Sequence, residues 1–255
     1  MLSQDQSDRI HVVLVSPRNP LNIGAVARAM ANFGLSRLTV VAPFAPHWRE
    51  AKSAVGAPEL LQIASQTPTL REALRNDTLV VGTGTTAGRK PEQPILALPD
   101  LAPRVHTELC RGDQVAIVFG PEKHGLTRDN LSYCHLFVEI PTHPSQPSMN
   151  LGQAVAVCLY ELTARNPTPN PAGAIANTAP PSPKPATSGD LDLLADLIQQ
   201  SMVAVRYSPR SMQGANAHDI RLLLRRFDPT AKDIRRTLGL FRRILWRLLH
   251  HNPRS

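Results

Sequence analysis

The first 165 residues alternate short apolar runs with stretches of helical periodicity. IHVVLV (10–15), RLTVVA (37–42), TLVVG (78–82), QVAIVFG (114–120) and HLFVEI (135–140) are continuous and rich in β-branched residues. That is the pattern of strands buried on both faces. Between the first two, a helix is predicted over Asn22–Phe33, with Asn22 as N-cap and Gly34 just past its end. ELLQIA and LREALRN also read as helical. A closing helix from Asn150 to about Arg165 is apolar on nearly every face, so it needs cover on more than one side. Strands alternating with helices predict an α/β domain built on a mostly parallel sheet.

Beyond residue 165 the pattern changes. Residues 166–189 hold seven prolines in 24 positions, one charge and no aromatic residue. Such a stretch buries too little apolar surface to offset chain entropy, so a flexible Pro-rich linker is expected. Helical signals return from residue 190 and predict a small all-α extension over 190–255. LDLLADLIQQSM is amphipathic, and HDIRLLLRRF runs to a break at Asp228–Pro229. Thr230 followed by Asp233 is a weak capping-box signal that restarts the helix. Ile234, Leu238, Phe241, Leu245 and Leu248 then recur at 4, 3, 4, 3 spacing. Arg235, Arg236, Arg242, Arg243 and Arg247 fall off that stripe, as a solvated basic face or a phosphate-tracking surface.

Charge sharpens this division. The net charge of the 255 residues is +8. Residues 1–165 carry 15 basic and 14 acidic side chains, the linker adds Lys184, and residues 190–255 carry 12 basic against six acidic. The signal for a polyanionic partner belongs to the tail. The longest apolar run, Ala154–Tyr160, is seven residues, far below the ~20 of a membrane helix. The start MLSQDQSDRI has no apolar signal core, so a cytoplasmic protein is expected. Cys110, Cys134 and Cys158 form no CxxC pair and read as three buried, reduced thiols.

Three strand ends carry candidate chemistry. The run Gly82–Gly88 fails the spacing of both the dinucleotide fingerprint and the P-loop. Neither GxSxG nor HExxH occurs, and no metal site is expected. Similar loops follow the next two strands, as GPEKHGLT from Gly120 and PTHPSQPSMNL from Pro141. Each is a tight turn or part of a pocket of backbone groups at the sheet's C-terminal edge, where open α/β sheets bind ligands. The small residues of the Asn22–Phe33 helix and the apolar closing helix fit either a buried core pair or a subunit interface.

NPLNIGAVARAMANFG, VFGPEKHGLT and IPTHPSQPSMNLGQAVAVCLYEL together resemble the three motifs of the SPOUT (SpoU–TrmD) RNA methyltransferases, closest to the TrmJ branch of tRNA ribose 2′-O-methyltransferases. The resemblance spans about residues 10–163. It implies a sheet whose C-terminal part forms a trefoil knot, with S-adenosylmethionine bound against Thr83, Gly84, Thr85, Gly120, Ile140, Pro147, Ser148 and Met149. It also implies a homodimer joined through the first and last helices of the domain, and a tRNA substrate methylated at the 5′ side of the anticodon loop. Arg28, Asn22, Glu122, Ser148 and Asn150 occupy the positions of the family's catalytic residues. Pro147 departs from the pattern and removes one backbone donor beside the cofactor loop. A ribosomal RNA methyltransferase of the same superfamily and a non-catalytic nucleic-acid-binding protein are the alternative readings.

Overall fold

The computed structural model describes residues 2–88, 90–165 and 183–250. The first domain contains β1 (Ile10–Val15), β2 (Leu38–Val41), β3 (Ser65–Thr67), β4 (Leu79–Gly84), β5 (Ile95–Ala97), β6 (Val115–Phe119) and β7 (Leu136–Glu139). Its helices are α1 (Gln4–Ser7), α2 (Pro20–Asn32), α3 (Pro58–Ile63), α4 (Leu70–Ala73), α5 (Leu98–Cys110), α6 (Arg128–Leu131) and α7 (Leu151–Tyr160). Residues Glu161–Arg165 continue α7 as one π-helical turn.

All seven strands pair in parallel, in the order β3-β2-β1-β6-β4-β7-β5. Successive side chains of a strand face opposite ways. Ile10, Val12 and Leu14 therefore join the core under α2, α5 and α7, while Val13 and Val15 join the opposite core with Leu70 and Leu131. A sheet with both faces covered explains why its central strands read as unbroken apolar runs.

The structure departs from the expected elements in four places. The edge strands β3 and β5 are three residues each and carry no alternating pattern. Helix α5 was hidden by Pro99 and Pro103. Pro99 lies in its first turn, where a missing N–H costs little. Pro103 is exposed, and Leu98, Leu101, Ala102, Val105 and Leu109 still form a buried stripe. LREALRN makes a single helical turn, Leu70–Ala73. Helix α2 starts earlier than expected, because Asn19 is its N-cap, accepting from the Leu21 N–H at 3.0 Å, with Pro20 next. Asn22 is thereby freed from capping. Gly34 does lie in the left-handed region just past the helix (φ 70°).

The tail contains α8 (Ser188–Ala204), α9 (Gln213–Phe227) and α10 (Ala231–His250). Ala186, Leu191, Leu194, Ile220, Leu224, Ile234 and Leu238 form its own core. The Thr230–Asp233 capping box forms, and Asp228 turns the chain at φ 45°. Ile234, Leu238 and Leu245 of the expected stripe are buried, whereas Leu248 is exposed at the helix end. Most of the expected linker, 166–182, lies outside the described residues. Its last part is placed: Pro185 bridges to Thr230, and Thr187 caps α8.

The tail docks on the first domain through polar contacts. The Ser188 N–H donates to the Asp77 carbonyl at 2.9 Å, Arg71 pairs with Asp196 at 2.5 Å, and Arg221 pairs with Asp129 at 2.5 Å. Cys134 and Cys158 are buried, and burial pushes each thiol up to about 12. Cys110 is exposed, contrary to the expectation of three buried thiols, because it ends α5 on the solvent face. No helix of the described residues is long and apolar enough to cross a membrane.

Candidate active site

Parallel pairing places the C-terminal ends of β4, β6 and β7 side by side, so their three unusual loops leave from one edge of the sheet. They converge on a single cleft of about 840 Å³, its open mouth included. Thr83, Gly84, Thr85, Gly120, Ile140, Pro147, Ser148 and Met149 all line it, together with Glu122, Lys123 and His124.

Each loop is fixed by identifiable contacts. The Thr83 hydroxyl donates to the Val118 carbonyl at 2.9 Å, tying β4 to β6. Glu139, the last residue of β7, accepts from the Thr86 N–H at 2.6 Å and the Thr85 hydroxyl at 3.2 Å. The Thr86 N–H holds the Glu139 carboxyl below the usual carboxylate range, ahead of the opposing effect of burial. The Thr142 hydroxyl donates to the Pro147 carbonyl at 3.3 Å, closing the third loop on itself. Gly120 is required by space. A Cβ there would stand 2.3 Å from both the Gly125 carbonyl carbon and the Leu126 nitrogen.

Behind the cleft, three of the expected polar residues form a chain. Glu122 accepts from the Arg18 N–H at 3.0 Å, the Asn19 N–H at 3.1 Å and the Asn22 side-chain amide at 2.9 Å. The Asn150 side-chain amide donates to the Asn22 side-chain oxygen Oδ1 at 3.1 Å, and Asn150 caps α7 by accepting from the Gly152 N–H at 3.0 Å. The network joins the N-terminal ends of α2 and α7 to the β6 loop. Burial pushes the Glu122 carboxyl up, but the bonds from Asn22, Arg18 and Asn19 outweigh it and hold it below the usual range. Glu122 thus braces the start of α2; among the described residues no hydrogen bond or ion pair joins it to Arg28.

Arg28 is set apart from this group. It is not among the residues lining the cleft, and it makes no hydrogen bond or ion pair among the described residues. At 100° per residue it shares a stripe of α2 with the exposed Leu21 and Asn32. Ser148 is exposed at the cleft with its hydroxyl unengaged among the described residues. Glu139 was missed from the sequence. Its signal was a carboxylate closing an otherwise apolar strand.

Among the described residues, Glu92, His218 and Asp219 have metal-like spacing, but they sit where α9 meets the first domain. Glu92 is already held there by Arg128 at 2.7 Å.

The arrangement has known counterparts. Residues 9–160 match the SpoU rRNA methylase family. A tRNA (cytidine/uridine/adenosine-2′-O-)-methyltransferase TrmJ of Pseudomonas aeruginosa is 42% identical over 156 residues, 61% of this chain and 60% of that protein. A tRNA (cytidine/uridine-2′-O-)-methyltransferase TrmJ of Pectobacterium atrosepticum is 32% identical over 234 residues, 91% of this chain and 95% of that protein. The crystal structure of TrmJ from Z. mobilis ZM4 superposes with a TM-score of 0.78 at 27% identity, covering 92% of this chain and 98% of that one. With its family motifs gathered around one cleft and its tail matched as well, the chain belongs to the SpoU methylase family, within the TrmJ group.

Proposed function

We propose that the protein is a cytoplasmic, homodimeric tRNA ribose 2′-O-methyltransferase that uses S-adenosylmethionine and acts at the 5′ side of the anticodon loop. The observation that carries this is the convergence of the three strand-end loops on one cleft beside the Glu122–Asn22–Asn150 chain. The cleft fits the cofactor. Ile140, Met149, Leu151 and Phe119 supply apolar walls, and the bare Gly120 lets the Gly125–Leu126 backbone close in against the end of β6. Pro147 lines this cleft without an N–H, and its carbonyl accepts from Thr142. The fold reading includes a trefoil knot in the C-terminal part of the domain.

Bound S-adenosylmethionine supplies an electrophilic methyl group. The chain's own task is to present the ribose hydroxyl in line with it and to stabilise the oxygen as its proton leaves. Arg28 does not act as the base in this reading, since a guanidinium offers five donors and no acceptor. Its role is to clamp the adjoining phosphate and offset the developing negative charge. Ser148, exposed at the cleft, bonds the ribose in this reading. Glu122, Asn22 and Asn150 hold the loops in register.

The dimer reading accounts for the position of Arg28. It lies outside its own cleft, on a face of α2 that also exposes Leu21 (55%), while the neighbouring α7 exposes Tyr160 (49%). A second copy packed on this face brings Arg28 towards the partner's cleft. The exposed Arg235, Arg236, Arg242, Arg243 and Arg247 of α10 hold the tRNA body. Arg221 and Arg225 are excluded from that role by their ion pairs to Asp129 and Asp192.

Incubation with tritiated S-adenosylmethionine and unmodified tRNA, followed by digestion to nucleosides, tests the reading. Label in a 2′-O-methyl nucleoside is expected. Label in a base, or in ribosomal RNA only, refutes it.

A further inference from the structure

Two neighbouring strands leave the cleft edge of the sheet through non-glycine residues in the left-handed region. Ser16 follows β1 at φ 45°, and Ala42 follows β2 at φ 42°. Residues with a Cβ adopt this conformation rarely, and it persists only where the surroundings impose it. Backbone bonds impose it here. The Ser16 N–H donates to the Val41 carbonyl at 2.8 Å, and the Ala42 N–H donates to the Thr67 carbonyl at 2.9 Å.

The two turns deliver a specific pair of side chains. The Phe44 N–H donates to the Pro17 carbonyl at 3.2 Å, and the Arg18 guanidinium carbon lies 4.5 Å from the centre of the Phe44 ring. Phe44 is 62% exposed. Arg18 is exposed too, and its side chain has no carboxylate partner among the described residues.

The pair is held firmly and next to the cleft. The Arg18 N–H donates to Glu122, which lines the cleft. The segment after Phe44 is anchored by the fully buried Trp48 and by the Ser53 hydroxyl, which donates to the Leu21 carbonyl at 2.6 Å. Gly24 allows this approach, since a Cβ there would stand 2.8 Å from the Ala54 nitrogen. An aromatic ring and a guanidinium, presented together on a rigid ledge and left open to solvent, have the chemistry of a nucleobase-stacking site.

We propose that Arg18 and Phe44 form a platform on which an unpaired base of the RNA substrate stacks, beside the nucleotide whose ribose is methylated. This rests on the RNA methyltransferase reading above. The ring gives an apolar face that any base can cover, and the guanidinium adds a cation close to the flanking phosphates.

Full-length Phe44→Ala, Phe44→Leu and Phe44→Trp variants test the platform by methylation kinetics on tRNA, calorimetry with S-adenosylmethionine, and sedimentation. Stacking on an aromatic side chain is worth enough that its loss raises KM for tRNA by about tenfold. That rise is expected for Ala and Leu, with kcat within about twofold and cofactor affinity and association state unchanged. Trp is expected to keep a KM near that of wild type, and its emission is quenched when tRNA is added. A Leu variant that matches wild type overturns the proposal, because apolar cover alone would then suffice. A change in association state also overturns it, making the patch a contact with a second copy. Should wild type transfer no methyl to tRNA, the functional reading fails, and the platform is judged by binding of a single-stranded oligoribonucleotide. Weaker binding by Phe44→Leu then supports the platform, and equal binding overturns it.

Discussion

Gly120→Ala is the sharpest structural perturbation of the cleft. The added methyl would stand 2.3 Å from two backbone atoms, Gly125 C and Leu126 N, where ordinary contact begins near 3.4 Å. Neither atom can rotate away, so the Gly120–Leu126 loop must move by the difference, about 1 Å. That loop carries Glu122 and forms one wall of the cleft. Overpacking of this kind costs about 1–3 kcal/mol of stability. For a chain of this size that lowers Tm by roughly 2–4 °C per kcal/mol, so the fold survives. Misplacement by 1 Å costs about 100-fold in methyl transfer. A tenfold weaker cofactor affinity corresponds to about 1.4 kcal/mol. The assay pairs calorimetry with S-adenosylmethionine and single-turnover methylation of tRNA. Gly214→Ala is the control, since its added Cβ meets nothing within 4 Å beyond its own stretch of helix. A Gly120→Ala protein that folds and binds the cofactor within twofold of wild type refutes the assignment of this cleft.

Further outcomes follow from the same geometry. Mixing Arg28→Ala subunits with Gly120→Ala subunits restores up to about a quarter of wild-type activity if Arg28 serves the partner's cleft, as random pairing of two inactive parents gives half mixed dimers with one intact site each; activity no higher than that of the parents contradicts this. Glu122 is held below the usual value of about 4.3. A lowered folded-state value means that its bracing is present above the ordinary pKa and lost as pH falls through the folded one. Wild-type cofactor binding therefore weakens as pH falls below the ordinary carboxylate range, whereas Glu122→Gln binds more weakly at pH 7 and keeps only the smaller acid step of Glu139. In native protein a thiol reagent modifies Cys110 alone, and in denaturant all three cysteines; rapid native labelling of Cys134 or Cys158 would contradict their burial. Arg225→Met removes the partner of buried Asp192 at 2.9 Å and leaves it only the longer pair to Arg71 at 4.0 Å, destabilising the tail by about 3 kcal/mol in urea titration.

The central strands were legible because both sheet faces are covered, so each run is unbroken apolar sequence. The edge strands β3 and β5 were not, since three residues at a partly exposed edge carry no pattern. Helix α5 is masked by Pro99 and Pro103, residues that disfavour helix interiors, although Pro103 faces solvent and leaves the buried stripe intact. The cleft residues were legible through three loops with special backbone needs. The roles within the site were less so. Asn22 resembles a cap, yet Asn19 takes that place and frees Asn22 to bond Glu122. Glu139 contributes through a contact 53 residues away in sequence, which no local pattern reports. The tail's charge located its basic helix correctly, but it could not separate the free arginines of α10 from Arg221 and Arg225, which are held by carboxylates.

Mass spectrometry of tRNA from a strain lacking this gene tests the central claim most directly. Loss of a 2′-O-methyl group from the nucleotide opening the anticodon loop is predicted, restored by the wild-type gene and not by Arg28→Ala. Unchanged ribose methylation of tRNA in the deletion strain would contradict the account.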